Sequence, residues 1–193
     1  MVNRTKQNLM YAVGAAFIAA GCAAAVSASA DFDPETDFAQ YATYAWGPAD
    51  ALPTGDPRLD GNPFFDRRVR SAVEQRLGEK GMLKVEPLDA DLVIHYHAAV
   101  DERVNVYSAD RAYGYKQPSG YEDQVRVYEE GTLVLDMVDR ASNAVVWRGW
   151  AQMNIEGLLD DPARLEERLD EGVEKMLQSF PATPPRPTVT PTF

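Results

Sequence analysis

The sequence predicts an α+β fold: an antiparallel sheet of about four to six strands, with two amphipathic helices packed on one face. Three observations predict it. Apolar residues recur at helical spacing in two separate windows, 64–80 and 162–180. Two sets of alternating residues, one of them apolar throughout, mark a long strand over 91–107. The segment 132–155 reads as a β-hairpin whose two arms share one apolar face. A helix stripe needs an apolar sheet face to bury against, and these strands provide one.

The first thirty residues read as an export leader. Arg4 and Lys6 form a short basic segment, Leu9 to Ala20 is an uncharged apolar run, and Gly21 to Ala30 is a small-residue tail. A spanning helix needs about 20 apolar residues, so the run is too short for a transmembrane anchor and cleavage is expected. Two cuts compete. Ala28-Ser29-Ala30 is an A-x-A site that releases a soluble periplasmic chain beginning at Asp31. Ala19-Ala20-Gly21-Cys22 resembles the lipobox of bacterial lipoproteins, although Ala19 stands where Leu is usual. In such a motif the cysteine is lipidated and becomes the N-terminus. Ala23, next in the chain, is not the Asp that by resemblance retains a lipoprotein at the inner membrane, so a lipid on Cys22 implies attachment to the outer membrane.

Composition agrees with export. Removing Arg4 and Lys6 from 19 basic residues leaves 17 against 30 acidic ones, a net charge of −13 for a chain cut after Ala30. So acidic a surface repels phosphate backbones, which excludes nucleic acid as a partner. Cys22 is the only cysteine, so after that cut neither disulfides, thiolate metal sites nor cysteine nucleophiles remain. The length suits one domain, expected over 31–180.

Along that domain, Phe32, Phe38, Tyr41, Tyr44 and Trp46 offer core anchors in a partly extended opening, followed by a Pro/Gly/Asp-rich loop over 47–63. Pro63 suits the first position of a helix striped by Phe65, Val69, Ala72, Val73 and Leu77, and Gly81 suits its end. A short strand is expected near Met82–Val85. In the next strand Leu92, Ile94, Tyr96, Ala98 and Val100 share one face, while Val93, His95, His97, Ala99 and Asp101 share the other. The stretch 108–127, rich in Tyr and Gly, has no period and reads as an exposed loop. In the hairpin, placing Asp139 opposite Val145 pairs Met137 with Trp147, Leu135 with Gly149 and Leu133 with Ala151. On the reverse face Asp136 then meets Arg148, a cross-strand ion pair, beside Val134, Val138, Val146 and Trp150. Asp161 and Pro162 open a second helix striped by Leu165, Leu169, Val173, Leu177 and Phe180. Five prolines in 181–193 make a polyproline-biased tail, expected to be disordered.

Three segments together resemble a family of secreted bacterial lipoproteins known as domain of unknown function 4136. They are DPETDFAQYATYAWGP (33–48), ADLVIHYH (90–97) and GTLVLDMVDRASNAVVWRG (131–149). The resemblance implies an envelope-located α+β domain, often lipid-anchored, and implies no reaction.

Candidate chemistry is sparse. His95 and His97, two apart on a strand, point to one face as a bidentate start to a zinc or copper site requires, with Asp101 or Asp136 as further ligands. As ordinary polar residues on the less buried face they need no metal. No G-x-S-x-G elbow, H-E-x-x-H or P-loop occurs, so no enzyme activity and no resident cofactor is expected. Binding or scaffolding remains. Tyr113, Tyr115 and Tyr121 in the loop offer large contact area with polar tips. Trp150 is either a second contact residue or is packed beneath a helix or neighbouring strand. The leading expectation is a non-catalytic envelope domain that contacts another envelope protein, and the membrane through Cys22 if lipidated. Its rival is a periplasmic metal- or small-ligand-binding protein using His95 and His97.

Overall fold

The computed structural model describes residues 25–48, 53–106 and 125–181. Cys22, the loop tyrosines Tyr113, Tyr115 and Tyr121, and the tail 182–193 lie outside the described residues. In chain order the elements are β1 (Ser27–Phe32), β2 (Thr43–Trp46), α1 (Pro63–Glu79), β3 (Leu83–Lys84), β4 (Leu92–Val106), β5 (Val125–Asp139), β6 (Ala144–Asn154) and α2 (Pro162–Leu177), with a 3-10 turn at Phe38–Gln40. The strands form one six-stranded sheet in the order β1-β6-β5-β4-β2-β3. It is an α+β fold and mostly antiparallel. The exception is β2, which runs parallel to both β3 and β4. Parallel neighbours need a crossover between them, and α1 is the crossover from β2 to β3.

Both helices begin as their sequences predict. The Asn62 side chain accepts from the amides of Phe64 and Phe65, and that of Asp161 from the amide of Arg164. Gly81, just past α1, has φ +85°. Helix α1 buries Phe65, Val69, Ala72, Val73 and Leu77; α2 buries Leu165, Leu169, Val173, Met176 and Leu177. They cover the face that carries Leu92, Ile94, Leu133, Leu135, Met137, Trp147 and Ala151 in one continuous core. Helix α2 stops at Leu177, three residues short of expectation. Phe180 turns back instead, its ring edge-on to Trp147 at 5.6 Å and to Phe38 at 5.7 Å.

Two boundaries differ from expectation. The sheet begins at Ser27, four residues before the expected domain start at Asp31. Ser27–Phe32 pair with Gln152–Trp147, and Val26 just ahead is 3% exposed. The alternation Val26, Ala28, Ala30 inward against Ser27, Ser29, Asp31 outward is present in the sequence but is hidden by its likeness to a leader's small-residue tail. At the other end of β6, Asp139 lies opposite Ala144, not Val145, and the register shifts between Met137 and Val138. The turn explains the slip. Asp139 accepts from the Ser142 amide at 2.6 Å and its hydroxyl at 2.7 Å, and Asn143 takes φ +57°. This tight closure leaves Val146 as an extra residue, a bulge that buries it beside Trp147. Its carbonyl accepts from the Asp33 amide at 3.1 Å. Beyond the bulge the Met137–Trp147, Leu135–Gly149, Leu133–Ala151 and Asp136–Arg148 pairs stand as predicted.

The three segments that carry the family resemblance meet at one end of the sheet. Asp91 Oδ2 accepts from the amides of Ala42 and Thr43 and from the Thr43 hydroxyl, all at 2.8–2.9 Å, which pins the start of β2 beside β4. The Tyr41 hydroxyl donates to Asp139 at 3.0 Å. Burial, reinforced by that carboxylate, pushes the Tyr41 pKa up to about 12; burial and then the charge of Glu74 do the same for Tyr44. Both pKa values are raised above that of an unfolded tyrosine. Their contribution is therefore intact below pH 10 and is lost as pH climbs from 10 to 12, each tenfold fall in proton concentration removing up to ~1.4 kcal/mol per tyrosine. Urea unfolding is expected to show this alkaline loss, and Tyr41→Phe, which cannot ionise, to flatten about half of it.

Candidate functional site

Period-two alternation sorts the strand residues onto two faces, and the face opposite the helices holds nearly every polar candidate. Strand register sets them in rows across it. Asp31, Arg148, Asp136 and His95 form one row; Ser29, Trp150, Val134 and His97 form the next.

Asp136 anchors the first row. It is 5% exposed, and Arg148 grips it with two bonds, Nε to Oδ1 at 2.5 Å and Nη2 to Oδ2 at 2.7 Å. A buried carboxylate is costly unless paired, and this bidentate geometry is the form that compensates it best. With Arg148 bonded to both its oxygens, Asp136 is a fixed member of the sheet's cross-strand ion pair.

His95 and His97 share this face as expected, and strand register sets His95 opposite Asp136, whose two oxygens are taken up by Arg148. The His95 ring lies against Gly47, where an added Cβ would come 2.1 Å from Cε1 and 2.6 Å from either ring nitrogen. His97 lies opposite Val134. Asp101 is four residues further along the same strand, about 13 Å away, too far for metal ligands that share one ion. Among the described residues, no group of three or more His, Cys, Asp and Glu is placed to hold a metal. Gly47→Ala is expected to lower stability by about 1–3 kcal/mol through overpacking. If His95 is a packing residue, His95→Ala in the same chain should restore most of that loss in urea unfolding; failure to do so would contradict the packing role.

Trp150 sits in the second row, half-buried between Ser29 and Val134, on the face away from both helices. Packing beneath a helix is therefore not its role. Beside it a hollow of about 430 Å³ opens between Phe32, Val145 and Arg148. Phe32 is 44% and Val145 49% exposed, so Trp150 borders an apolar patch at the β1–β6 edge. Sequence reasoning finds Trp150 and misses its neighbours: size marks Phe32 as a core anchor, and its ring does stand edge-on to Phe38 at 5.9 Å, but 44% of it stays exposed, and no sequence pattern marks the bulge that turns Val145 outward.

A second hollow, about 270 Å³, lies at the N-terminus of α1 between Asp60, Asp66 and Tyr96. Its carboxylates are engaged: Asp60 accepts from the Thr54 amide, and Asp66 from Arg70 and from the Tyr96 hydroxyl at 3.0 Å.

No curated protein matches the chain. Among solved structures it is similar to a PDZ domain protein from Parabacteroides distasonis, at 18% identity and a TM-score of 0.54. That match covers 84% of this chain and 37% of the other, so the chain spans little more than a third of that longer protein. It is also similar to a DUF4136 family protein from Bacteroides thetaiotaomicron, at 12% identity and a TM-score of 0.47, covering 78% of this chain and 95% of that one. A third is the PelC dodecamer from Paraburkholderia phytofirmans, at 13% identity and a TM-score of 0.45, covering 84% and 100%. At these identities the likeness concerns the fold. The DUF4136 model, a domain of unknown function, matches residues 28–182, and the chain belongs to that family.

Proposed function

We propose that this chain is a non-catalytic envelope domain, held on the periplasmic side of the outer membrane by a lipid on Cys22, that binds another envelope component through its uncovered sheet face. The observation that carries the anchor is strand β1. A cut after Ala30 falls inside it. That cut would discard Ser27–Ala30 from their ladder with β6, together with buried Val26, whose carbonyl accepts from Lys175 Nζ at 2.8 Å. A cut before Cys22 leaves the strand whole.

Binding rather than catalysis accords with the Asp136–Arg148 pair of the face and the Asp66–Tyr96 pair of the α1 hollow, which engage one another, while Trp150, Phe32 and Val145 offer apolar contact area. Intact mass of the protein from its native host tests the anchor. A start at Cys22 with added acyl mass supports it; a start at Asp31 removes it, and a retained Met1 removes export altogether.

A further inference from the structure

Strand β1 is the outer strand on one side of the sheet, and half of its backbone groups face away from β6. The Asp33 amide donates to the Val146 carbonyl at 3.1 Å, continuing the register that sets Ser27–Phe32 against Gln152–Trp147. In an antiparallel ladder every second residue bonds inward. Ser27, Ser29 and Asp31 therefore turn N–H and C=O to β6, while Val26, Ala28, Ala30 and Phe32 turn theirs out. Side-chain bonds agree with that parity. The Val26 carbonyl accepts from Lys175 Nζ at 2.8 Å, and the Phe32 amide donates to Asp31 Oδ1 at 2.9 Å. The chain's own side chains thus close both ends of the outer edge. Between them Ala28 and Ala30 hold N–H and C=O outward, and no strand among the described residues lies beyond them.

This open window is self-complementary. Directly opposed side chains share a face, so a second, antiparallel copy has to set Ser29 opposite an outward-facing serine or aspartate of its own β1. Setting Ser29 against the partner's Ser29 places Ala28 against the partner's Ala30 and Ser27 against the partner's Asp31. The alanines of the two copies then exchange both backbone bonds, which satisfies the whole window. Shifting the partner by two residues either way pairs an alanine with Val26 or with Phe32, where the carbonyl or the amide is already taken. In the central register Asp31 also faces a hydroxyl and not a second carboxylate.

We propose that β1 is a dimerisation edge: two copies pair β1 to β1 about a two-fold axis at Ser29, so that one sheet runs through both. The inference rests on the cut before Cys22 proposed above, since a chain starting at Asp31 lacks this edge. The pairing is isologous and occupies its edge completely, so it closes at two copies. It sets the Ser29–Trp150 rows end to end, with the two Trp150 backbones about 14 Å apart on one uncovered face. The contact surface of one copy is then presented twice, side by side.

Ser29→Cys, Ser27→Cys and Asp31→Cys each place one thiol at an exposed position of β1, the sole native cysteine being blocked by its lipid. Each is made in the full lipidated chain and oxidised in native-host membranes. Opposed residues of a non-hydrogen-bonded pair stand about 4.5 Å apart at Cα, within disulfide reach, whereas two copies of position 27, or of 31, stand about 14 Å apart. The expected result is several-fold more disulfide dimer at 29 than at 27 or 31 alone, with the dimer restored when differently tagged 27 and 31 chains are co-expressed. Ser29→Lys, which sets two ammonium groups face to face at the axis, is expected to leave a monomer by native mass measurement in detergent where the unsubstituted chain is a dimer. Equal cross-linking at the three positions, its absence at 29, or a dimer indifferent to Ser29→Lys, in a chain whose mass shows Cys22 lipidated, overturns the pairing and leaves the anchor standing. A mature mass that starts at Asp31 overturns both.

Discussion

A chain beginning at Asp31 is expected to be less stable than one beginning at Ala23 by about 3–5 kcal/mol, a large share of the 5–15 kcal/mol typical of a domain. The shorter chain lacks Val26, whose full burial alone contributes about 1.5–3 kcal/mol, and the inward faces of Ala28 and Ala30. It also lacks four of the six residues that pair with β6, and the carbonyl that receives Lys175. Strand β6 would become a bare edge carrying Trp150, a template for aggregation. Urea unfolding of the two cysteine-free chains measures the difference. Equal midpoints would show that β1 is dispensable, and with it the argument against cleavage at Ala30.

The second large effect is expected at Gly149. It lies on the core face between Leu135 and Ala30, where a side chain would otherwise stand, because the Trp147 indole folds across it. A Cβ there would come 2.3 Å from Cη2 and 3.0 Å from Cζ2 of that ring. Trp147 is fully buried, edge-on to Phe180, and its indole N–H has no acceptor among the described residues. Shape alone holds it, and it has nowhere to move. Gly149→Ala should lower stability by about 1–3 kcal/mol or more, as overpacking of a well-filled core does. Trp147→Leu, which opens a cavity, should cost a comparable or larger amount. In the double variant the clash is gone, so the two losses should not add; strict additivity in a double-mutant cycle would show that the ring and the glycine are not coupled.

What can be read from the sequence follows from the range of the interactions involved. Both helices are legible because their stripes and caps lie within a few residues of each other: Asn62 with Phe64 and Phe65, Asp161 with Arg164. The hairpin register is legible wherever apolar residues have to share a face. It fails next to the turn, where Asp139 and Ser142 set the closure by hydrogen bonds that patterning does not weigh. The parallel pairing of β2 with β4 is not legible, since it depends on Asp91 reaching Thr43 across 48 residues. Among site residues, the face shared by His95, His97 and Trp150 follows from alternation. That His95 packs on Gly47 does not, because no local pattern places a loop glycine under a strand side chain.

The far edge of the sheet bears on how many copies can be crowded onto one surface. Strand β3 is two residues long, and its second residue, Lys84, reaches back to Glu74 on α1 at 2.5 Å. So short a strand offers an approaching chain almost no backbone to pair with, and a charged side chain stands at the opening. Neighbouring copies can thus lie side by side without their sheets joining into a continuous ribbon from that side.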